Sequence, residues 1–131
     1  MLRKGFKDEE EQKRNEVFDD LLEWEMVPDF WEKEQRKKLN NRLKEKFDLD
    51  LQKLEKSAPK EVVKILKEKE FSPSNFEKLG DLFLKLSEVE PVELESSLAQ
   101  KALVLYEYSQ QESKIFSFSL IQKINEAKSL I

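Results

Sequence analysis

Apolar side chains recur at spacings of three and four along this chain, the spacing that gathers them on one face of an α-helix. Phe18, Leu21, Leu22 and Met26 follow it first, with Val17 and Trp24 widening the stripe. Pro28 is expected to end that helix, because proline lacks the amide hydrogen that a helix interior uses, and Asp29 is expected to cap the next one. A second helix is predicted from about Phe30 to Phe47. Its Trp31, Leu39, Leu43 and Phe47 fall on one narrow line with Gln35 in its middle, so partial exposure is expected, with the helix crossing the domain edge or pairing with another chain.

Asp48 to Leu54 reads as a short turn or helix, and Ser57-Ala58-Pro59 as the start of another whose apolar face is Val62, Val63, Ile65 and Leu66. Phe71 is expected to pack beyond its end. Ser72-Pro73-Ser74-Asn75 is the clearest helix start, with a hydroxyl at the cap and proline at the first helical position. Phe76, Leu79, Leu82, Phe83 and Leu86 follow as a broad face. Gly80 lies inside that face, where glycine costs about 1 kcal/mol relative to alanine, and implies close approach of a second helix. Pro91 is expected to open a helix carrying Leu94, Leu98, Ala99, Ala102, Leu103, Leu105 and Tyr106. After a break over 113–116, Ser117 is expected to cap a last helix with Leu120, Ile121, Ile124, Ala127 and Ile131 in the core.

A length of 131 residues suits one domain. Residues 1–16 are polar and acid-rich, with only Leu2 and Phe6 to anchor them, and are a candidate disordered segment. Residues 17–47 are expected to form a loosely attached N-terminal hairpin, and 58–131 the helical core. With only two glycines and 40% charged residues, the composition argues against a β-rich fold. The expected class is all-α, a compact helical bundle.

Histidine and cysteine are absent, which removes imidazole bases, thiolate nucleophiles, disulfides and the usual zinc, haem and iron–sulfur ligands. No cofactor or metal is expected. Asp48 and Asp50 have the spacing that opens a calcium loop, but Lys53 stands where glycine is required and Pro59 where glutamate is required. The net charge of -4 disfavours nucleic acid in bulk. No apolar run is long enough for a membrane span, and the N-terminus has no apolar signal region, so a cytoplasmic protein is expected.

The segment Phe76-Glu77-Lys78-Leu79-Gly80-Asp81-Leu82-Phe83, followed by Gln100-Lys101-Ala102-Leu103-Val104-Leu105-Tyr106-Glu107-Tyr108, resembles one tetratricopeptide-type helical hairpin, with Phe76, Leu79, Gly80, Phe83 and Ala102 at its marker positions. The stretch from Arg42 to Ile131 is similar to an uncharacterised bacterial family with a tetratricopeptide-like helical domain, chiefly through 102–108 and Phe116-Ser117-Phe118. The resemblance implies an antiparallel helix pair with flanking helices. It carries no activity.

Lys33, Arg36, Lys37, Lys38, Arg42, Lys44 and Lys46 outnumber Glu34 and Glu45 by five, the strongest local charge asymmetry. Lys33, Arg36, Lys37, Lys38 and Arg42 are the candidate basic patch for phosphates or an acidic partner. Acidic residues upstream, including Asp19, Asp20, Glu23, Glu25 and Asp29, could neutralise it. Trp24, Phe30 and Trp31 surround Pro28 and are the candidate interface, since exposed aromatics concentrate interface energy and an incompletely covered hairpin can meet its own copy. Tyr106 and Tyr108 point to faces about 200° apart on a helix, Tyr106 into the core. These features describe a non-enzymatic protein-interaction or scaffold domain whose partner is another protein or a second copy. The alternatives are a nucleic-acid-associated factor using 33–46 and, more remotely, a carboxylate-dependent enzyme, for which sequence selects no acid pair.

Overall fold

The Ser72 hydroxyl accepts from the Asn75 backbone amide at 3.4 Å, and the Asn75 side chain accepts from the Ser72 amide at 3.0 Å. This reciprocal capping box starts a helix at Pro73, where the sequence places it. The computed structural model describes the backbone of residues 2–114 and 116–131, with side chains from residue 8 onward within those ranges. Seven helices are found there, and no strand is present among the described residues. They are α1 (Leu2–Leu22), α2 (28–47), α3 (Leu51–Lys56), α4 (Pro59–Glu68), α5 (Pro73–Leu86), α6 (Glu95–Glu112) and α7 (Phe118–Ser129). Within α2, a π-helical turn at Trp31–Gln35 joins the turn Pro28–Phe30 to the helix Arg36–Phe47.

The most extensive contact is between α5 and α6. Gly80 faces the ring of Tyr106, and the Phe76 ring stacks on Tyr108 with centroids 4.1 Å apart. Tyr106 is fully buried, and its hydroxyl donates to Asp81 Oδ1 at 2.8 Å. Tyr108 stays half-buried, so the two tyrosines divide between core and margin as their spacing requires. Lys123 of α7 pairs with Glu77 at 2.6 Å and Asp81 at 3.0 Å, tying α7 across α5. Val62 and Leu66 of α4 are buried, and α4 packs on α6.

Helix α1 begins at Leu2, ahead of the periodic stripe that starts at Val17. The polar residues of its middle bind α5: Asn75 Nδ2 donates to the Glu11 carbonyl at 3.2 Å and to Asn15 Oδ1 at 2.8 Å, and Asn15 donates to Ser74 at 3.0 Å. Arg14 donates to the carbonyls of Lys69 and Glu70 at 3.2 and 3.1 Å and lies over the Phe71 ring at 4.3 Å. Glu70 holds a left-handed conformation there, φ 59°, turning the chain out of α4. The side chains of Leu2 and Phe6, expected as anchors, lie outside the described residues.

The narrow line on α2 is covered by this chain itself. Trp31, Leu39 and Leu43 have no exposure and Phe47 has 6%, which corrects the expectation of a partly exposed helix. Phe47 stacks on Phe18 at 4.5 Å and meets Phe71 edge-on at 5.6 Å, so residues expected to form a loosely attached hairpin share one apolar cluster with the rest. Pro28 begins α2 where it was expected to end α1, and Asp29 lies inside the first turn without a capping bond. The connection before it is held by Gln35, whose Oε1 accepts from the Val27 amide at 2.9 Å while its Nε2 donates to the Glu25 carbonyl at 2.8 Å. A polar residue in the apolar line thus replaces a local cap. Ser117 caps α7 as expected, but Ile131 is half exposed and outside the core. None of the described helices is long and apolar enough to cross a membrane.

Candidate functional site

The three aromatics expected at an interface go to three different environments. Trp31 is fully buried, and its indole Nε1 donates to Glu90 Oε1. It is a core residue, since a buried indole N–H needs an acceptor and Glu90 supplies one. Trp24 is half-buried against the core, and Phe30 alone is freely accessible, at 56%.

The basic stretch is divided in the same way. Arg36 turns inward to Glu55 and Glu90, Arg42 pairs with Asp20 at 3.4 Å, and Lys38 pairs with Glu34 at 3.0 Å. Lys33 and Lys37 remain exposed, without an ion pair among the described residues. Arg42 lies with Lys13, Arg14, Lys46, Glu16 and Asp20 along an open cleft of about 550 Å³ between α1 and α2. Both signs of charge line it, and Arg14 is already committed to the end of α4. The upstream acids expected to compensate the stretch do so at Asp20, while Asp19 pairs instead with Lys78 of α5 at 2.6 Å.

Two features were not singled out as sites by sequence. At the connection into α7, Phe116 and Phe118 are 70% and 75% exposed, with ring centroids 4.9 Å apart and planes nearly perpendicular. The Ser117 hydroxyl between them accepts from the Leu120 amide at 3.1 Å. This bond fixes the start of α7 and leaves the flanking aromatics on the outside. Two adjacent phenylalanines in water leave apolar surface that burial would stabilise at about 25 cal/mol per Å². The signal was an aromatic pair astride a cap residue.

The second feature is a buried ionic cluster. Arg36 holds one oxygen of Glu55, and its Nε lies 3.5 Å from Glu90 Oε2. Lys101, 2% exposed, donates to the Glu55 carbonyl at 3.0 Å and to Ser97 Oγ at 2.7 Å. It thereby supplies a donor to the last turn of α3, where carbonyls lack helical partners. Burial pushes the Lys101 ammonium below its ordinary range, against the opposing charge of Glu55. Burial and the neighbouring Glu90 push Glu55 up to about 7. Burial acts on Glu90 in the same sense, but the neighbouring Glu55 carboxyl, the Trp31 N–H and the Arg36 guanidinium outweigh it and lower Glu90 from its ordinary value. The side chains of Glu55 and Glu90 are 6% and 4% exposed, which leaves little carboxylate surface for a substrate.

No group of three or more acidic side chains able to hold a metal ion occurs among the described residues. Comparison with family models, with curated proteins and with solved structures finds no match to this chain. The functional reading therefore rests on the residues themselves.

Proposed function

We propose that this chain is a non-enzymatic protein-interaction domain that engages a protein partner, its own copy included, through the aromatic pair at the entrance to α7. The observation that carries the proposal is the exposure of Phe116 and Phe118 side by side, while the other described phenylalanines, Phe30 apart, are buried. Such a pair offers rigid apolar area at small entropic cost, the property that concentrates binding energy in interface aromatics. The rest of the molecule serves as a scaffold that holds the pair at a fixed helix start.

In the same proposal, α5 and α6 are the tetratricopeptide-like antiparallel pair of the bacterial family that the sequence resembles, and the setting is cytoplasmic. The paired contacts support it: Phe76 meets Tyr108 and Gly80 meets Tyr106, so position rises along one helix as it falls along the other. The nucleic-acid reading has less support, because Arg36, Lys38 and Arg42 are engaged by acids.

The test is affinity capture from extracts of the source cell with the wild-type chain and the F116S/F118S double variant, alongside sedimentation equilibrium of both. A partner, or a self-association, held by the wild type and lost in the variant supports the proposal. Equal capture and equal association by the two chains would overturn it.

A further inference from the structure

The ionic cluster joins elements distant in sequence: Trp31 and Arg36 on α2, Glu55 on α3, Glu90 on the connection between α5 and α6, and Lys101 on α6. Glu55 Oε1 is satisfied by Arg36. Its other oxygen, Oε2, is buried with no hydrogen-bond partner among the described residues, and the Glu90 carboxyl sits on the same Arg36 guanidinium, its Oε2 3.5 Å from Nε. Two ionised carboxylates in that position would present only acceptors to each other, and a buried acceptor without a donor is costly. A proton on Glu55 Oε2 removes the conflict, because the acid donates to Glu90 while its other oxygen keeps Arg36.

We propose that Glu55 and Glu90 share one proton, and that this proton latches α2, α3 and the α5–α6 connection together, so that raising the pH through neutrality loosens the junction. The charged groups facing the pair are Arg36 from α2 and Lys101 from α6. With the proton present, the Glu55–Glu90 pair carries one negative charge, placed on Glu90 beside the Arg36 guanidinium and the Trp31 N–H. After it leaves, a second negative charge stands in the same buried space, and a carboxylate pair so close resists full ionisation.

The sign follows from the raised Glu55 pKa, about 7 when folded against the ordinary 4.5. Between those values the folded chain binds more protons than the unfolded one, so the stability from this group is complete below the lower value and lost as pH rises through the upper. The Phe30 and Val92 side chains, 56% and 74% exposed, border the cluster in sequence on α2 and on the connection.

The experiment follows the glutamate side-chain carboxyl carbons of the full chain by NMR as pH is raised, with thermal melts of wild type and E55Q at about pH 5 and about pH 8. One glutamate assigned to Glu55 should titrate near neutrality, about 2 to 3 pH units above exposed glutamates. E55Q, whose amide is a permanent donor to Glu90, should melt above the wild type at the higher pH and show a shallower pH dependence. Titration of Glu55 together with the exposed glutamates would overturn the proposal. So would a pH dependence of melting in E55Q as steep as in the wild type. If E55Q does not fold, the wild-type titration decides by itself.

Discussion

A methyl group on Gly80 would lie 2.7 Å from Cε1 of Tyr106, inside the ring's van der Waals envelope. In an ordinary exposed helix, glycine to alanine gains up to about 1 kcal/mol. At this position Gly80→Ala should instead destabilise by about 1 to 3 kcal/mol, because the buried ring must move and its hydroxyl must leave Asp81. Tyr106→Phe removes only that hydrogen bond and should cost about 1 to 2 kcal/mol. Urea denaturation of the two variants checks both the sign and the order.

Asn75 joins the cap of α5 to the middle of α1. Asn75→Ala removes the reciprocal bond to Ser72 and the bonds that Asn75 Nδ2 donates to the Glu11 carbonyl and Asn15 Oδ1. A loss of about 2 kcal/mol is expected, combining a cap with a buried polar contact. Hydrogen exchange should quicken in α1 before it does so in α6, because the severed contacts belong to α1.

Arg36 is the cation that both buried carboxyls face. Arg36→Met should cost about 2 kcal/mol near neutral pH, less than the roughly 3 to 5 kcal/mol of a fully buried pair, since its side chain is 30% exposed. The penalty should shrink at about pH 5, where Glu55 carries its proton and the charge left behind is smaller. Chemical denaturation at the two pH values measures the difference.

Local signals in the sequence were enough for the elements whose determinants lie close together. Ser72 with Asn75 and Ser117 with Leu120 are spaced by one helical turn, and the start of α5 and of α7 could be read from them. Gly80 announced a close neighbour, and the face beginning at Leu94 contained the Tyr106 it meets. The rest depended on partners far along the chain. Trp31 is a core residue because Glu90, 59 positions away, accepts its N–H. The part of helix α1 before Val17 is bonded through polar groups to Ser74 and Asn75, so a stretch poor in apolar residues gave no periodic signal for it. Arg36 looked like one of a row of surface bases until Glu55 and Glu90 drew it inward. Gln35, polar in the middle of the α2 line, serves as the remote cap of the turn before it.

Phe116 and Phe118 contribute little to the folded core, so F116S/F118S should leave the unfolding free energy within about 0.5 kcal/mol of wild type. Its melting curve should overlay that of the parent chain. A marked loss of stability would mean that the pair serves the fold and not a partner.

Reversing the exposed bases tests the competing surface. K33E/K37E should leave partner capture unchanged, and wild-type chain should show no binding to mixed-sequence DNA or RNA at about 0.15 M salt, where surface charges are screened beyond about 8 Å.

The most direct measurement places a photo-crosslinking amino acid at position 118 in one sample and at position 37 in another, each irradiated inside the source cell. A discrete protein adduct at 118, absent at 37, is the predicted result. Adducts confined to 37, or carrying nucleic acid there, would contradict an interaction domain that works through its aromatic pair.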